Sequence, residues 1–357
     1  MRAVLLSPND PAWPQLVAGL PADIYYLPGY AIVCARQVQG EPLLFAAWER
    51  ERLWVLALIV RPVPPALVEG RPLFDAASPY GYSGPLVRAG DGVLESWCAR
   101  AIGALRAELK ERDIVALFAR LHPLRPHPLA PLADAGMLVH HGDTVVVDLT
   151  RSSEELWRAT RSRFRTDIQA LCRRGFSASM DQSCARLADF QDLYYQTMKR
   201  VGATQEYFLS SDYYATLQEN LNGHLHLCSV ESDGRLACGG LFTEMDGIVQ
   251  YHLGGTHDEF LLFSPSKLMF HFVRSWAKER GNAILHIGGG HGGAADNLFH
   301  FKRGFSSQTV PFRTWRLVAD VDAYERLNGR WRALGGDDWV ERSDDYFPAY
   351  RRPLPSP

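Results

Sequence analysis

One stretch constrains the fold of this chain more than any other. Residues 251 to 311 run YHLGGTHDEFLLFSPSKLMFHFVRSWAKERGNAILHIGGGHGGAADNLFHFKRGFSSQTVP. Tyr251 onward and Ala283–Ile287 have the short apolar character of strands, and between them Leu268, Met269, Phe272, Val273, Trp276 and Ala277 recur at helical spacing. The predicted order is strand, amphipathic helix, strand, glycine-rich loop, then a short helix ending in Phe301-Lys302-Arg303-Gly304-Phe305. The first of these helices is expected to take Ser264 as N-cap and Pro265 as its first residue, and to close at Gly281. A chain so ordered folds as mixed α/β. The order also sets a lysine and several backbone amides beside a helix start. Such a place can hold an activated acyl group and stabilise the oxyanion formed when an amine attacks it.

At 357 residues the chain suits two domains. Short apolar runs predict strands at Asp23–Tyr30, Pro42–Trp48, Leu53–Val60, Ile114–Phe118 and Thr144–Leu149. A helix is predicted from Val93 to Arg112, with Leu94, Trp97, Cys98, Ile102, Leu105 and Leu109 on one face. The proline-studded segment from His122 to Pro128 reads as a loop. A boundary near 150 follows, where Ser152 and Glu155 form a capping-box pattern at the head of a basic helix. Further helices are expected near Phe190–Arg200 and Ser211–Asn220, and strands at His224–Ser229, Ala237–Glu244 and Ile248–Leu253. Beyond Asp320 the chain shows no new periodicity. The expected domains are therefore 1–150 and 151–320, with 321–357 as a C-terminal segment. Both halves mix helices and strands in similar balance, as a duplicated fold would.

Charge and composition remove several classes of function. A net charge of −2 gives no global pull toward DNA or an anionic surface. Cys34, Cys98, Cys172, Cys184, Cys228 and Cys238 lack metal-like spacing, as expected of reduced, mostly buried thiols in the cytoplasm. The apolar run near the start is soon broken by Ser7 and Pro8, which does not suit a signal peptide. No segment approaches the roughly 18 uninterrupted apolar residues of a membrane span. A cytoplasmic protein without an integral membrane segment is expected.

Each candidate site has an ordinary alternative. Gly288, Gly290 and Gly293 meet the G-x-G-x-x-G spacing, but no further βαβ pattern and no acid about twenty residues on accompany them. A tight substrate-facing loop including Gly289, Gly290 and His291 is the expectation. Gly81-Tyr-Ser-Gly84 falls one residue short of a nucleophile elbow, so Ser83 is not expected to be a nucleophile. His286 and His291, like His252 and His257, stand five apart with no acid or cysteine to complete a metal site, and no metal is expected. Lys302 beside Arg303 could be a plain surface lysine. Phe299, Phe301 and Phe305 argue instead for a short helix held against the body, with its lysine partly enclosed. Tyr251 is either a half-buried strand residue or a substrate contact. Tyr80 and Tyr82 either pack their loop or wall a substrate. Seven arginines against three acids lie between Arg151 and Phe176. Arg161, Arg163 and Arg165 there either line a solvated helix face or meet a phosphate-bearing substrate.

Taken together, the segments Asp23–Pro28, Ser78–Pro85, Arg120–Leu124, Thr197–Ala203, Tyr251–Thr256, Ser264–Leu268, Gly288–Gly290 and Phe301–Phe305 resemble the FemAB-type transferases, a branch of the GNAT superfamily. The resemblance runs from about residue 20 to 315. It implies a tandem of two GNAT-like mixed-sheet domains packed side by side, with the chain end returning to the first. It also implies transfer of an aminoacyl group from aminoacyl-tRNA, or of an acyl group, to an amine on a peptidoglycan or polysaccharide precursor. Lys302 falls on the family's FKxGF lysine, which implies a place near the transferring carbonyl. Tyr251 falls on a tyrosine of the acceptor site, and Phe305 closes the motif.

Two departures bear on the donor. The helical-hairpin arm of some aminoacyl transferases is missing. So is the Arg/Gln-x-x-Gly-x-Gly/Ala loop that cradles coenzyme A in ordinary GNAT enzymes, its place being taken by Phe260–Ser266. The expected mechanism is direct aminolysis without a bound cofactor: Lys302 and loop amides hold the oxyanion, and no residue stands out as the base, the candidates being Asp296, His291, Glu244 or a substrate phosphate. The alternatives are an acyl-CoA-dependent N-acetyltransferase acting on a sugar or peptide amine, and a non-catalytic GNAT-fold binding protein.

Overall fold

A computed structural model of the protein describes residues 1–88, 94–335 and 346–353. In chain order the elements are β1 (Arg2–Leu6), α1 (Ala12–Ala18), α2 (Pro28–Val38), β2 (Glu41–Glu49), β3 (Arg52–Pro62), β4 (Phe74–Ala77), β5 (Leu86–Arg88), α3 (Leu94–Glu111), β6 (Ile114–Arg120), α4 (Leu129–Ala135) and β7 (Met137–Asp148). They continue as α5 (Ser153–Ala159), α6 (Ser162–Arg173), β8 (Ser177–Asp181), α7 (Leu187–Arg200), α8 (Ser211–Asn220), β9 (Leu225–Ser232), β10 (Arg235–Met245), β11 (Ile248–Thr256), α9 (Ser266–Glu279), β12 (Ile284–Gly288), α10 (Asn297–Lys302), β13 (Thr309–Val318) and α11 (Val321–Ala333). The chain divides into two units, residues 1–141 with 311–357, and residues 142–310. These cuts differ from 150 and 320 because they fall inside β7 and β13, long strands that each contribute residues to both units.

In the first unit β1, β2, β3, β4 and β6 stand in that order, with β4 and β6 parallel and the rest antiparallel. Residues 314–318 of β13 then pair antiparallel with β6. β3 is buried from Leu53 to Val60 without alternation. Its Trp54, Leu56 and Leu58 share a core with Trp97, Ile102 and Leu105 of α3, while Val55 and Ala57 are buried as well. A strand covered on both faces reads as a continuous apolar run. The predicted face of α3 is buried at Trp97, Cys98, Ile102, Leu105 and Leu109. Val93 and the Leu94 side chain lie outside the described residues, as do 336–345 and 354–357 of the expected C-terminal segment.

Two expectations fail in this unit. Asp23–Tyr30 is not a strand. The Asp23 carboxylate accepts from the Ile24 amide at 2.6 Å and starts a 3-10 turn, and Pro28 then opens α2, where its fixed φ suits the first helical turn. After Asp320 there is also more order than the sequence suggested. Asp320 caps α11 by accepting from the Ala323 amide at 3.0 Å, and Tyr324, Leu327 and Trp331 form its buried stripe. They meet Val63, Leu67 and Val115, with Phe347 and Tyr350 from the end of the chain, in a second core.

The second unit sets β8, β9, β10 and β11 antiparallel, then β12 parallel to β11, then residues 145–148 of β7 against β12. The capping box is present: Ser152 Oγ accepts from the Glu155 amide at 3.2 Å, and the Ser152 amide donates to Glu155 at 2.8 Å. The basic helix is not continuous. It breaks at Thr160, whose ψ of 133° is extended, into α5 and α6. The break is held from α9: Arg274 donates to Leu156 O at 2.9 Å and to Thr160 Oγ1 at 2.8 Å.

The start of α9 also differs from expectation. Ser264 has a left-handed φ of 52°, and Pro265 occupies the cap position without a side-chain bond. The buried stripe is Leu268, Met269, Phe270, Val273, Arg274 and Ala277, with Phe272 and Trp276 at its margin. Among the described residues no helix is long and apolar enough to cross a membrane, and no three His, Cys, Asp or Glu gather as a metal site.

Candidate functional site

β11 and β12 run parallel only over Ile248–Gln250 against Ile284–His286. Beyond these residues β12 enters the glycine loop, while β11 from Tyr251 to Thr256 continues against β10. Parallel strands that part leave a notch at their C-terminal ends, the position where α/β sheets receive ligands. β11 is bulged there: Leu253 opposes Leu241 and Tyr251 opposes Phe242, so His252 is the extra residue. Bulges re-aim side chains beside functional sites. The Tyr251 ring packs on Phe242 and Phe270, with centroids at 5.4 and 5.0 Å. Its hydroxyl lies over Gly254, where a Cβ would stand 2.0 Å from the phenol oxygen.

The other wall is the loop after β12, together with α10. Asp296 caps that six-residue helix, accepting from the Phe299 amide at 2.9 Å and from the His291 amide at 3.0 Å. Phe301 and Phe305 pack with Phe164 and Phe270 and fasten the helix to the core. That anchoring carries Lys302 inward until it is 6 % exposed. Its Nζ donates to Gly289 O at 2.6 Å and lies 5.7 Å from the centroid of the Tyr251 ring. No other polar partner of the ammonium exists among the described residues, so two of its three N–H bonds are unspent. Burial pulls Lys302 down to about 8, with the Asp296 charge pushing part of the way back. A buried charge with one hydrogen bond is costly, and an incoming acceptor oxygen would relieve that cost. Burial has the opposite consequence for the Tyr251 phenol, which it holds well above its usual value, so Tyr251 remains a donor.

The remaining candidates separate. Gly289 belongs to the site through its carbonyl. Gly290 serves the loop itself, since a Cβ there would lie 2.1 Å from Ala294 O and 2.3 Å from Asp296 Oδ1. The His291 side chain is exposed and faces Asp296 at 3.5 Å. Phe305 is a core residue, 2 % exposed. Arg161, at the head of α6, donates to His300 O at 3.3 Å, whereas Arg163 pairs with Asp167 at 3.2 Å and Arg165 donates to Arg158 O at 3.5 Å. Tyr80 and Tyr82 lie in the first unit. Tyr80 is exposed beneath Arg120, and Tyr82 packs edge-on against Tyr25 and Phe312. Ser83 is buried and donates to Pro79 O, a packing role.

None of the three suggested bases is well placed. Asp296 is committed to its cap and His291 to the loop surface. Glu244 is bound by Arg280 at 2.9 Å and Asn282 at 2.6 Å; burial pushes its carboxyl up, but these bonds outweigh that and hold it below the usual range. Sequence reasoning missed one feature of the notch. His252, the bulged residue, bonds Tyr213 Oη through Nε2 at 2.9 Å, and burial pulls its imidazole down to about 4, so it is neutral near pH 7. The residue was visible, but its partner on α8 became its neighbour only through the fold.

The start of α9 bears on the donor. The amides of Lys267, Leu268 and Met269 are turned onto Ser264 O and Pro265 O at 3.0 to 3.1 Å. The Lys267 ammonium is held by Asp167 at 2.8 Å.

Residues 158–303, which include Tyr251, Gly289 and Lys302, match the model of the acetyltransferase (GNAT) domain. Over those residues the chain is similar to GNAT acetyltransferase domains, which supports an acyltransferase. No curated protein compared with the chain matches it. Among solved structures, FemX is 15% identical with a TM-score of 0.66, over 91% of this chain and 99% of its own. A tandem GNAT protein from the clavulanic acid biosynthesis pathway is 14% identical at 0.50, over 89% and 98%. A conserved protein of unknown function from Bacteroides thetaiotaomicron VPI-5482 is 10% identical at 0.55, over 87% and 98%. These likenesses extend beyond the matched residues to most of the chain, and they agree with an α/β fold of two GNAT-like mixed-sheet units.

Proposed function

We propose that the notch between β11 and β12 is the transfer site of a FemAB-like N-acyltransferase, and that Lys302 holds the acyl carbonyl oxygen. The observation that carries this reading is the buried Lys302 ammonium with a single partner among the described residues, Gly289 O. The amine nitrogen of the acceptor adds to the carbonyl carbon to form the new C–N bond, and the donor's ester bond then breaks. The proton shed by the amine leaves with the departing oxygen. Negative charge on the carbonyl oxygen peaks between these events, and the two unspent N–H bonds of Lys302 are positioned to receive it. Tyr251, a neutral donor across the ammonium, orients the acyl or acceptor group.

The donor is an aminoacyl ester, as the FemAB resemblance implies, and the acceptor is an amine of a peptidoglycan-type precursor. Arg161, exposed at the head of α6, and Arg165, half-buried one turn on, pair with no acid among the described residues and are available for its phosphates. The engaged amides at the head of α9 favour this donor over coenzyme A, whose pyrophosphate needs free amides there. The match to the GNAT model favours the second reading, an acyl-CoA-dependent N-acetyltransferase.

Thermal-shift titration with coenzyme A and acetyl-CoA separates the two. Saturable stabilisation, about 2.7 kcal/mol at a hundredfold excess over Kd, selects the second reading, and its absence sends the assay to aminoacyl-tRNA. With either donor, Lys302→Ala lowers turnover by roughly 10²–10³ with the fold retained, and a wild-type rate overturns the assignment. Because the protonated lysine is the working form, the rate declines as pH rises through about 8. Lys302→Arg, which keeps its charge, removes that decline from whatever activity it retains.

A further inference from the structure

The turn between β11 and α9 has a surface that the transfer reaction does not use. Its tip, Leu261-Leu262-Phe263, is exposed at all three residues, and Leu262 is 96 % exposed. Three adjacent large apolar side chains exposed together form the kind of patch that marks an interaction surface. The root of the turn is firmly built. Phe176 stacks on Phe260 and Phe263 with centroids at 5.8 and 5.7 Å, and the Arg174 guanidinium covers the Phe263 ring at 5.1 Å. Arg200, near the end of α7, donates to Thr256 O at 3.2 Å and pairs with Asp258, which ties that helix end and the exposed Val201 to the same root.

Charge decides what this tip meets. The two acids of the turn are neutralised, Asp258 by Arg200 and Glu259 by Arg235. Arg173 and Arg174 at the end of α6, and Lys199 at the end of α7, are exposed and have no acidic partner among the described residues. The local surface is thus an apolar tip with unpaired cations behind it. That arrangement fits a bilayer interface: the aliphatic side chains enter the acyl boundary while the guanidinium and ammonium groups stay at the level of anionic headgroups.

We propose that Leu261–Phe263, with Arg173, Arg174 and Lys199, docks the protein on an anionic lipid surface. The proposal does not depend on the transfer reaction. It gives this face a peripheral, reversible attachment, since a single turn and three cations bind far more weakly than a spanning helix.

The test is co-sedimentation of the full chain with phosphatidylcholine vesicles, with and without phosphatidylglycerol. The wild type is expected to bind the vesicles containing phosphatidylglycerol and to release them at high salt. Leu262→Glu and the double change Arg173→Glu with Arg174→Glu should each weaken binding by about tenfold, while Leu262→Phe retains it. The position is so exposed that Leu262→Glu should leave the melting temperature unchanged, which separates lost docking from lost folding. The proposal is overturned if the wild type ignores anionic vesicles, or if Leu262→Glu binds them as well as the wild type does. It is equally overturned if Leu262→Glu abolishes self-association in sedimentation velocity while vesicles are never bound, because the tip then joins two copies of the chain.

Discussion

Burying Lys302 has a thermodynamic consequence that can be measured without any substrate. Its pKa falls from 10.5 in an exposed lysine to about 8 in the fold. Between those values the unfolded chain binds more protons than the native one, so the contribution of Lys302 to stability rises with pH across that window. Below about 8 the full penalty is in force, about 3 kcal/mol for a shift of this size. Lys302→Met is therefore expected to raise stability at pH 7 by about 2 kcal/mol, after allowance for the lost bond to Gly289 O, while transfer is lost. The gain should shrink toward pH 10, and urea melts at the two pH values check the sign. A variant less stable than the wild type at pH 7 would show that the ammonium is better solvated than its single partner suggests. Gly290 acts at the same scale without touching substrate. Any side chain there collides with Asp296, and through it disturbs the helix that carries the lysine.

Six residues cannot hold a helix alone, because nucleation costs more than so few bonds return. α10 exists because Asp296 caps it and Phe299, Phe301 and Phe305 fasten it. Asp296→Ala should cost about 1 kcal/mol of stability. It also removes the negative charge that partly props up the pKa of Lys302, so the decline in rate should move below pH 8. A pH–rate profile for this variant that matches the wild type would mean that the Asp296 charge does not act on Lys302. Elements with local signals were legible in the sequence. Ser152 and Glu155 announced α5, and the aromatic residues around Lys302 announced its enclosure. Signals that needed a distant partner were not. The break at Thr160 is held by Arg274, more than a hundred residues away, and the inward face of α9 is centred on Phe270 because Tyr251 and Phe305 lie against it. Asp23–Tyr30 was misread because aromatic content outweighed Pro28 as a helix opener. The stripe Tyr324, Leu327, Trp331 was present in the sequence but sparse among charged residues.

At the scale of the whole molecule, the end of the chain closes the first unit. Asp75 is fully buried and is met by Arg61, by Arg351 and by the Tyr350 hydroxyl at 3.4 Å. Removing residues 346–357 takes away two of these partners and uncovers the core around Trp331, so a loss of about 3–5 kcal/mol is expected. Asp75→Asn in the truncated chain should recover part of that loss by discarding the stranded charge, and guanidinium melts of the wild type and these two variants check it. The second unit is inserted within the first, and this fixes an order of events during synthesis. The ribosome completes residues 142–310 before it makes Trp315, Leu317 and Ala319, which the core around Trp54 and Trp97 still lacks. At about 5–20 residues per second the wait is on the order of ten seconds. Throughout it β6 offers an unpaired edge where β13 will later lie, so the half of the protein made first is the half that nascent-chain chaperones must shield.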